Sequence, residues 1–320
     1  MNIDPGIYDE KWYYTVELEP GRFTKGFNFK NIAATRTALD AVDVTNHSVI
    51  DLSTMEGMFS TLLAKRGAVV TATDIIDCGA RISLLKKGHG VDFLYIPHVP
   101  PDNQSEYMFK FQTLNSYSQM KPLKAFTHTP YGYDVVLSSG VMYHVLSPLH
   151  YILQLRKIVK LGGMVILETA CAINDEIEMY HDYRNDAFVY GGRCSWFIST
   201  GALDLFFRAA FLKPLGFCYV RSQVKSDLNV VRLGIVAQAV DERVYDPEFF
   251  SCIDKSEIIR NSDYKPLYEA AQLTGSVLKP VAYRKGVLNP IGMKLSADLF
   301  EKHQPVEYEP EYLQLALSDK

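Results

Sequence analysis

The sequence has little of what marks a membrane, exported or fibrous protein. Its 320 residues include five cysteines, an odd number without a CxxC pair, and its apolar runs fall short of the roughly 20 residues that a membrane-spanning helix needs. The first residues lack the basic start and apolar block of a signal peptide, so we expect a cytoplasmic chain with reduced thiols and no membrane association. A net charge of −4 provides no global basic field and disfavours nucleic acid as the partner.

What is present is an ordinary globular composition, with 48% hydrophobic and 22% charged residues. From about residue 48 to residue 240, short β-branched runs alternate with helical patterns, which is typical of βαβ units on a mostly parallel sheet. The predicted strands cover residues 48–52, 69–73, 93–99, 134–139 and 164–168, and the predicted helices cover 58–66, 150–160 and 202–210. The fold class is therefore α/β and Rossmann-like.

Two further apolar runs, 217–224 and 230–240, are separated by only about five residues. That spacing is too short for a crossover helix, so the two runs must form an antiparallel hairpin. A mostly parallel sheet that ends in a reversed hairpin strand favours a methyltransferase over a dehydrogenase.

A nucleotide-type site is predicted where the first two strands end. The first strand runs into the loop from Asp51 to Gly57, and Asp74 follows 17 residues after Gly57, where an acidic side chain can accept the hydroxyls of a ribose. A helix N-cap is the alternative role of Asp74. The bulky Met55 and the anionic Glu56 disfavour a pyrophosphate, which prefers bare glycine backbone. S-adenosylmethionine carries an ammonium and a sulfonium, and it suits these carboxylates better than NAD.

Four motifs carry a resemblance to a known family. Residues 140–149 contain Gly-Val-Met-Tyr-His followed by Ser-Pro-Leu, and Val-Ile-Leu-Glu-Thr, Trp-Phe-Ile-Ser and Leu-Gly-Phe follow at 165–169, 196–199 and 215–217. In this order they resemble the class I S-adenosylmethionine-dependent methyltransferases, in the branch of the tRNA wobble-uridine carboxymethyltransferases. The resemblance covers about residues 21–239 and implies S-adenosylmethionine as the cofactor.

The resemblance also implies roles for individual residues. The implied cofactor-binding residues are Lys25, Asp51, Ser53, Glu56, Gly57, Asp74, Ile75, Ser139, Gly140 and Tyr143. Tyr143 would face the transferable group, and Glu168 and His144 are the candidates for a general base, with an acceptor-orienting and a structural role as their respective alternatives. The implied acceptor pocket is lined by Tyr180, Trp196 and Phe197. No metal site is predicted.

The chain departs from the family pattern at two places. The usual loop reads Gly-x-Gly-x-Gly, and this chain has Ser53, Met55 and Gly57 there; Ser53 is a mild change if its φ is negative, while Met55 requires a relaxed turn or packing over the ligand. The relatives hold a carboxylated cofactor with a tyrosine, a lysine and a distant arginine. Lys25 matches the lysine, but no motif identifies the arginine.

We divide the chain into residues 1–40, 41–240 and 241–320. The first part would be an N-terminal cap over the cofactor site, the second the methyltransferase domain, and the third a C-terminal lid or dimer arm. A packing extension without a role at the site is the alternative for the third part, and a homodimer is left open.

Three functions remain in view. The favoured one is methyl transfer to a small-molecule metabolite or natural-product intermediate. The second is methyl or carboxymethyl transfer to the wobble uridine of tRNA, which would require a basic face. The third is a catalytically silent protein that binds S-adenosylmethionine, because the first loop is degenerate.

Overall fold

The computed structural model of the chain describes residues 4–27, 31–101, 132–181, 196–221, 228–240 and 280–307. Most of the predicted C-terminal extension, residues 241–279 and 308–320, lies outside the described residues, as does the end of the first hairpin strand. None of the described helices is both long and apolar enough to cross a membrane.

The described residues form fourteen strands and six α-helices. The strands are β1 (Lys11–Tyr14), β2 (Glu17–Glu19), β3 (Arg22–Phe23), β4 (Lys25–Phe27), β5 (Ser48–Leu52), β6 (Val69–Thr73), β7 (Leu94–Ile96), β8 (Tyr133–Ser139), β9 (Val159–Ala172), β10 (Met179–His181), β11 (Trp196–Ser199), β12 (Leu212–Arg221), β13 (Val230–Ala239) and β14 (Asn289–Pro290). The helices are α1 (Asn31–Asp40), α2 (Met58–Lys65), α3 (Gly79–His89), α4 (Pro148–Ile158), α5 (Thr200–Ala209) and α6 (Ala297–Lys302). Short 3₁₀ helices form at Pro5–Tyr8 and Met142–His144.

A central sheet carries the fold, with its strands in the order β14-β12-β13-β9-β8-β5-β6-β7. Strands β5 to β9 pair in parallel, whereas β13 is antiparallel to both β9 and β12. The predicted α/β fold, with a mostly parallel sheet and a reversed hairpin strand, is confirmed. Since the chain order changes direction between β5 and β8, the ligand crevice of such a sheet lies beyond the carboxyl ends of these two strands.

The two faces of the sheet explain why the strands read as continuous apolar runs. Val49 and Ile166 point into one core with α1, α2 and α3, while Ile50 and Val165 point into a second core with α4 and α5. Successive side chains of a strand face opposite sides, so a strand covered by helices on both sides must be apolar at almost every position.

The N-terminal segment forms two small strand pairs, and residues 280–307 pack against one edge of the central sheet. In the N-terminal segment, β1 pairs in parallel with β4, and β2 pairs with β3. At the other end, β14 pairs with the outer edge of β12, and Phe300 of α6 packs on Phe217 with ring centroids 5.0 Å apart. The lid or dimer arm stays a prediction for the residues that are not described.

Candidate active site

The loop after β5 keeps a glycine-type backbone although two of the three usual glycines are replaced. Ser53, Met55 and Gly57 have φ angles of 56°, 52° and 86°, all in the left-handed region. Ser53 therefore does not have the negative φ that would make it a mild change. A left-handed conformation costs a residue with a side chain about 1–2 kcal/mol, so the surrounding structure must hold the loop in place.

Asp51 is one of the groups that hold the loop from within. Its carboxylate accepts hydrogen bonds from the hydroxyls of Thr54 at 2.7 Å and Ser60 at 2.6 Å. Burial is the main cause that raises the pKa of Asp51 to about 6, and the two hydroxyls oppose that shift. The Asp51 side chain is thus buried below the loop, and a direct contact with the cofactor stays a prediction.

Asp74 joins the loop to the end of β6. One carboxylate oxygen accepts the backbone N–H of Met55 at 2.7 Å, and the other accepts that of Ile76 at 3.0 Å. Asp74 is not the N-cap of α3, because Cys78 occupies that position. Burial raises the pKa of Asp74. The neighbouring Ile75 is 55% exposed and offers apolar surface beside this carboxylate.

Glu56 is fully buried and bound by the protein itself. Its oxygens accept the backbone N–H of Tyr13 at 2.7 and 2.9 Å and that of Tyr14 at 3.0 Å. The Arg81 guanidinium donates a further hydrogen bond of 2.5 Å. The Glu56 charge is therefore compensated within the chain, and its attraction for the cofactor cations stays a prediction.

Several side chains converge on Gly140 at the end of β8. Gly140 has a φ of 73°, and a Cβ atom there would lie 3.4 Å from the Tyr143 hydroxyl, 3.7 Å from Arg232 Nη2 and 3.8 Å from Asn31 Nδ2. Its N–H donates to the backbone oxygen of Glu168 at 3.0 Å. A glycine at this position leaves the space between these polar groups open.

Glu168 forms a buried ion pair with Arg232, a residue that the motif analysis missed. Arg232 Nε lies 2.6 Å from Oε1 of Glu168 and Nη2 lies 2.7 Å from Oε2, and the guanidinium carbon is 4.8 Å from the centre of the Tyr143 ring. Both carboxylate oxygens are engaged, which favours a positioning role for Glu168 over that of a base. In the sequence, Arg232 stands out only as the single charged residue within the apolar run of β13.

The other predicted residues have different surroundings. Tyr143 is 7% exposed and packs with the fully buried Phe197, while the exposed His144 ring lies 4.3 Å from the Tyr143 ring between centroids. The Trp196 indole donates to the Leu146 carbonyl at 2.8 Å. Tyr180 is half-buried against Tyr143 and Phe197 and donates its hydroxyl to Glu178. Their contacts with an acceptor stay predictions.

The side chains of two further predicted cofactor residues, Ser139 and Lys25, are bound by other side chains of the protein. The Ser139 hydroxyl is hydrogen-bonded to that of Thr35 at 2.7 Å, which ties β8 to α1. The Lys25 side chain is 73% exposed and pairs with Asp9 at 2.5 Å. The structure thus places Lys25 on the surface of the N-terminal segment in a pair with a carboxylate.

These residues fit S-adenosylmethionine. The left-handed loop, the carboxylate of Asp74 and the open space at Gly140 follow three neighbouring strands of the sheet. A carboxylate has about four lone-pair sites, so Asp74 can accept ribose hydroxyls in addition to its two backbone donors. Within the described ranges, no group of three or more His, Cys, Asp or Glu side chains is placed to hold a metal ion.

The fold and this crevice together define the Rossmann-like class of methyltransferases. The family model described as "Methyltransferase domain" matches residues 24–213, more than half of the chain. The chain belongs to this methyltransferase domain family. The predicted methyltransferase family is thereby confirmed.

Individual relatives match smaller parts of the chain than the family model does. The tRNA U34 carboxymethyltransferase of Shewanella loihica is 37% identical over 109 residues, which are 32% of this chain and 27% of that protein. The enzyme of the same name from Pseudoalteromonas atlantica is 38% identical over 95 residues, 28% of this chain and 25% of that protein. The chain thus spans about a quarter of the length of the curated relatives it matches.

A solved structure is similar at low identity. The 1,6-didemethyltoxoflavin-N1-methyltransferase of Burkholderia thailandensis, solved with 1,6-didemethyltoxoflavin and S-adenosylhomocysteine, is 14% identical. The similarity covers 66% of this chain and 79% of that chain, with a TM-score of 0.44.

Proposed function

We propose that the chain transfers a methyl group from S-adenosylmethionine to a small-molecule acceptor in the crevice beside Tyr143. The cofactor supplies an electrophilic methyl group on a sulfonium. The protein must bind both reactants and align them for an in-line displacement, an effect that can contribute several kcal/mol.

The pairing of cations around the crevice supports a small acceptor. Arg232 pairs with Glu168, Arg81 with Glu56, and Lys25 with Asp9. RNA binding depends on cations that are free to neutralise phosphates. These three cations are already matched by carboxylates of the chain, which favours an acceptor without a phosphate backbone.

The proposed roles follow from the contacts of each group. Asp74 would hold the ribose and fix the loop through the Met55 amide. Tyr143 would lie beside the sulfonium, where an aromatic ring stabilises a cation. Glu168 would orient Arg232 rather than remove a proton, since both of its oxygens accept hydrogen bonds from the guanidinium.

Methyl-group labelling tests this proposal. The purified full chain is incubated with S-adenosylmethionine labelled at the methyl group, in parallel with a fractionated extract of small metabolites and with bulk tRNA. We expect label in the small-molecule fraction and none in tRNA. Label in tRNA alone would overturn the proposed acceptor class, and binding of S-adenosylhomocysteine without label in either fraction would indicate a catalytically silent binding protein.

One observation favours carboxymethyl transfer as a second candidate. The guanidinium carbon of Arg232 lies 4.8 Å from the centre of the Tyr143 ring, so Arg232 would be the arginine that the sequence motifs did not identify. Calorimetry with carboxy-S-adenosylmethionine and S-adenosylmethionine separates the two cofactors. Tighter binding of the carboxylated form that is lost in Arg232→Met would support this candidate, and equal binding would exclude it.

A further inference from the structure

The loop that follows β5 is fastened to the N-terminal strand β1 by one buried side chain. Glu56 accepts three hydrogen-bond contacts of 2.7 to 3.0 Å from the adjacent backbone N–H groups of Tyr13 and Tyr14. The two residues are 42 and 43 positions away in the chain. Hydrogen bonds to a charged acceptor are about twice as strong as neutral ones, so this is a specific attachment.

The direction of the Glu56 side chain depends on the loop conformation. Its two neighbours, Met55 and Gly57, both have a left-handed backbone. The N–H of Met55 donates to Asp74, the predicted ribose acid. A change at the cofactor loop therefore acts directly on the group that holds β1.

On its other side, Arg81 completes the attachment. Its guanidinium pairs with Glu56 at 2.5 Å, donates to the Lys11 carbonyl at 2.8 Å and lies 5.3 Å from the Trp12 ring. Arg81 thus contacts both the loop carboxylate and the start of β1. This makes the loop, β1 and α3 one connected unit.

Strand β1 also carries Tyr14, which is buried. Burial is the main cause that raises the pKa of its phenol, and Tyr13, Tyr143 and Glu168 raise the pKa further while Arg232 lowers it. Gly26 of β4 lies so close to the Tyr14 backbone that a side chain there would overlap with it. Tyr14 is therefore held between β4 on one side and Glu56 on the other.

We propose that Glu56 is a positioning residue that couples the cofactor loop to β1 and thereby fixes the position of Tyr13 and Tyr14. Ordering of the loop by a bound ligand is then transmitted to β1 of the N-terminal segment. This inference rests on the proposed binding of the cofactor at the loop.

Hydrogen exchange of the full chain tests the coupling, with S-adenosylhomocysteine as the probe. We expect the ligand to slow exchange of the Tyr13 and Tyr14 amides about tenfold, since local opening of β1 becomes less frequent. In Glu56→Gln, the amide group cannot accept all three contacts. We expect the ligand still to protect the loop residues 52–57, while the protection of Tyr13 and Tyr14 falls below about twofold.

Two further variants serve as controls. Glu10→Gln removes the same charge from an exposed position just before β1 and should leave the protection of Tyr13 and Tyr14 unchanged. Arg81→Gln keeps the Glu56 carboxylate and its backbone contacts, so it provides a milder test should Glu56→Gln fail to fold. It should reduce the ligand-dependent protection of Tyr13 and Tyr14 in the same direction, about threefold.

The outcomes distinguish failure of the proposed function from failure of the proposed coupling. Failure of the unsubstituted chain to bind S-adenosylhomocysteine would reject the proposed function itself. Binding that protects the loop but not Tyr13 and Tyr14 would reject the coupling alone. Full protection of these two amides in a folded Glu56→Gln, or in Arg81→Gln if only that variant folds, would reject it as well.

Discussion

Arg232 and Glu168 face each other from the adjacent antiparallel strands β13 and β9 and form a bidentate ion pair away from water. Their side chains are 5% and 0% exposed, and the two contacts measure 2.6 and 2.7 Å. Opposite charges on diagonal positions of neighbouring strands can reach each other in this way. The pair brings a cation next to Tyr143 without adding net charge to the crevice.

Removal of the Glu168 carboxylate should destabilise the fold, because Arg232 would stay buried without its partner. We expect Glu168→Ala to lower the free energy of unfolding by about 3–5 kcal/mol, because one charge is left buried without its partner. The double variant Glu168→Gln/Arg232→Met should lose less stability than the sum of the losses in Glu168→Gln alone and Arg232→Met alone. Chemical denaturation measures both, with the exposed Glu176→Ala as the control. A nearly unchanged stability in Glu168→Ala together with lost methyl transfer would instead support the base.

Loss of the Asp74 carboxylate should weaken cofactor binding. Asp74→Ala removes the acceptor for the Met55 and Ile76 amides and for the ribose, so we expect the Kd of S-adenosylhomocysteine to rise at least about tenfold, or 1.4 kcal/mol. Calorimetry provides the measurement. Asp77→Ala is the matched control, because this exposed carboxylate accepts from Gly79 at the start of α3. Equal affinity in both variants would reject the ribose assignment.

Asp51 should make stability depend on pH in a predictable direction. Burial raises its pKa from 3.8 to about 6 in the folded chain. Because the folded pKa is the higher one, the stability contribution of Asp51 is present in full below about pH 4 and is lost as the pH rises through about 6. Relative to Asp51→Asn, the unsubstituted chain should lose up to about 3 kcal/mol over this range. Urea denaturation from pH 4 to 7 tests this, and a constant difference between the two proteins would contradict it.

The left-handed Ser53 offers a test of backbone strain. We expect Ser53→Gly to raise the free energy of unfolding by about 0.5–1 kcal/mol, because glycine adopts this conformation without a clash. The same substitution at Ser83, an exposed position within α3, should lower it by about as much. Thermal unfolding compares the two variants, and destabilisation by both would show that the Ser53 side chain contributes more than its strain.

The arrangement of the strands could be predicted because buried parallel strands are short apolar runs. Strands β5 and β6 have the predicted bounds of 48–52 and 69–73. Strand β9 covers Val159–Ala172 and is longer than the predicted 164–168, so the glycine pair at 162 and 163 is part of the strand. Gly163 is needed there, since a Cβ would lie 2.6 Å from the Asp134 carbonyl oxygen.

The site was less predictable because its key contacts span long stretches of sequence. Glu56 was interpreted from its position beside the cofactor loop, yet its charge is met by backbone amides 42 and 43 residues away. Arg232 lies 64 residues from Glu168 and belongs to no motif. Local spacing identifies which acidic groups end the strands, but it does not reveal which of them are neutralised by the fold.

The pairing of the C-terminal segment with β12 has a consequence for handling the protein. Asn289 and Pro290 cover the outer edge of β12 at Gly216 and Phe217, and the Tyr219 hydroxyl donates to the carbonyl groups of Phe300 and His303. A truncation at residue 240 would leave this edge and its aromatic rings open to pairing with other chains. Expression of residues 1–240 alone should therefore yield aggregates, whereas a chain that retains residues 280–307 keeps the sheet edge protected.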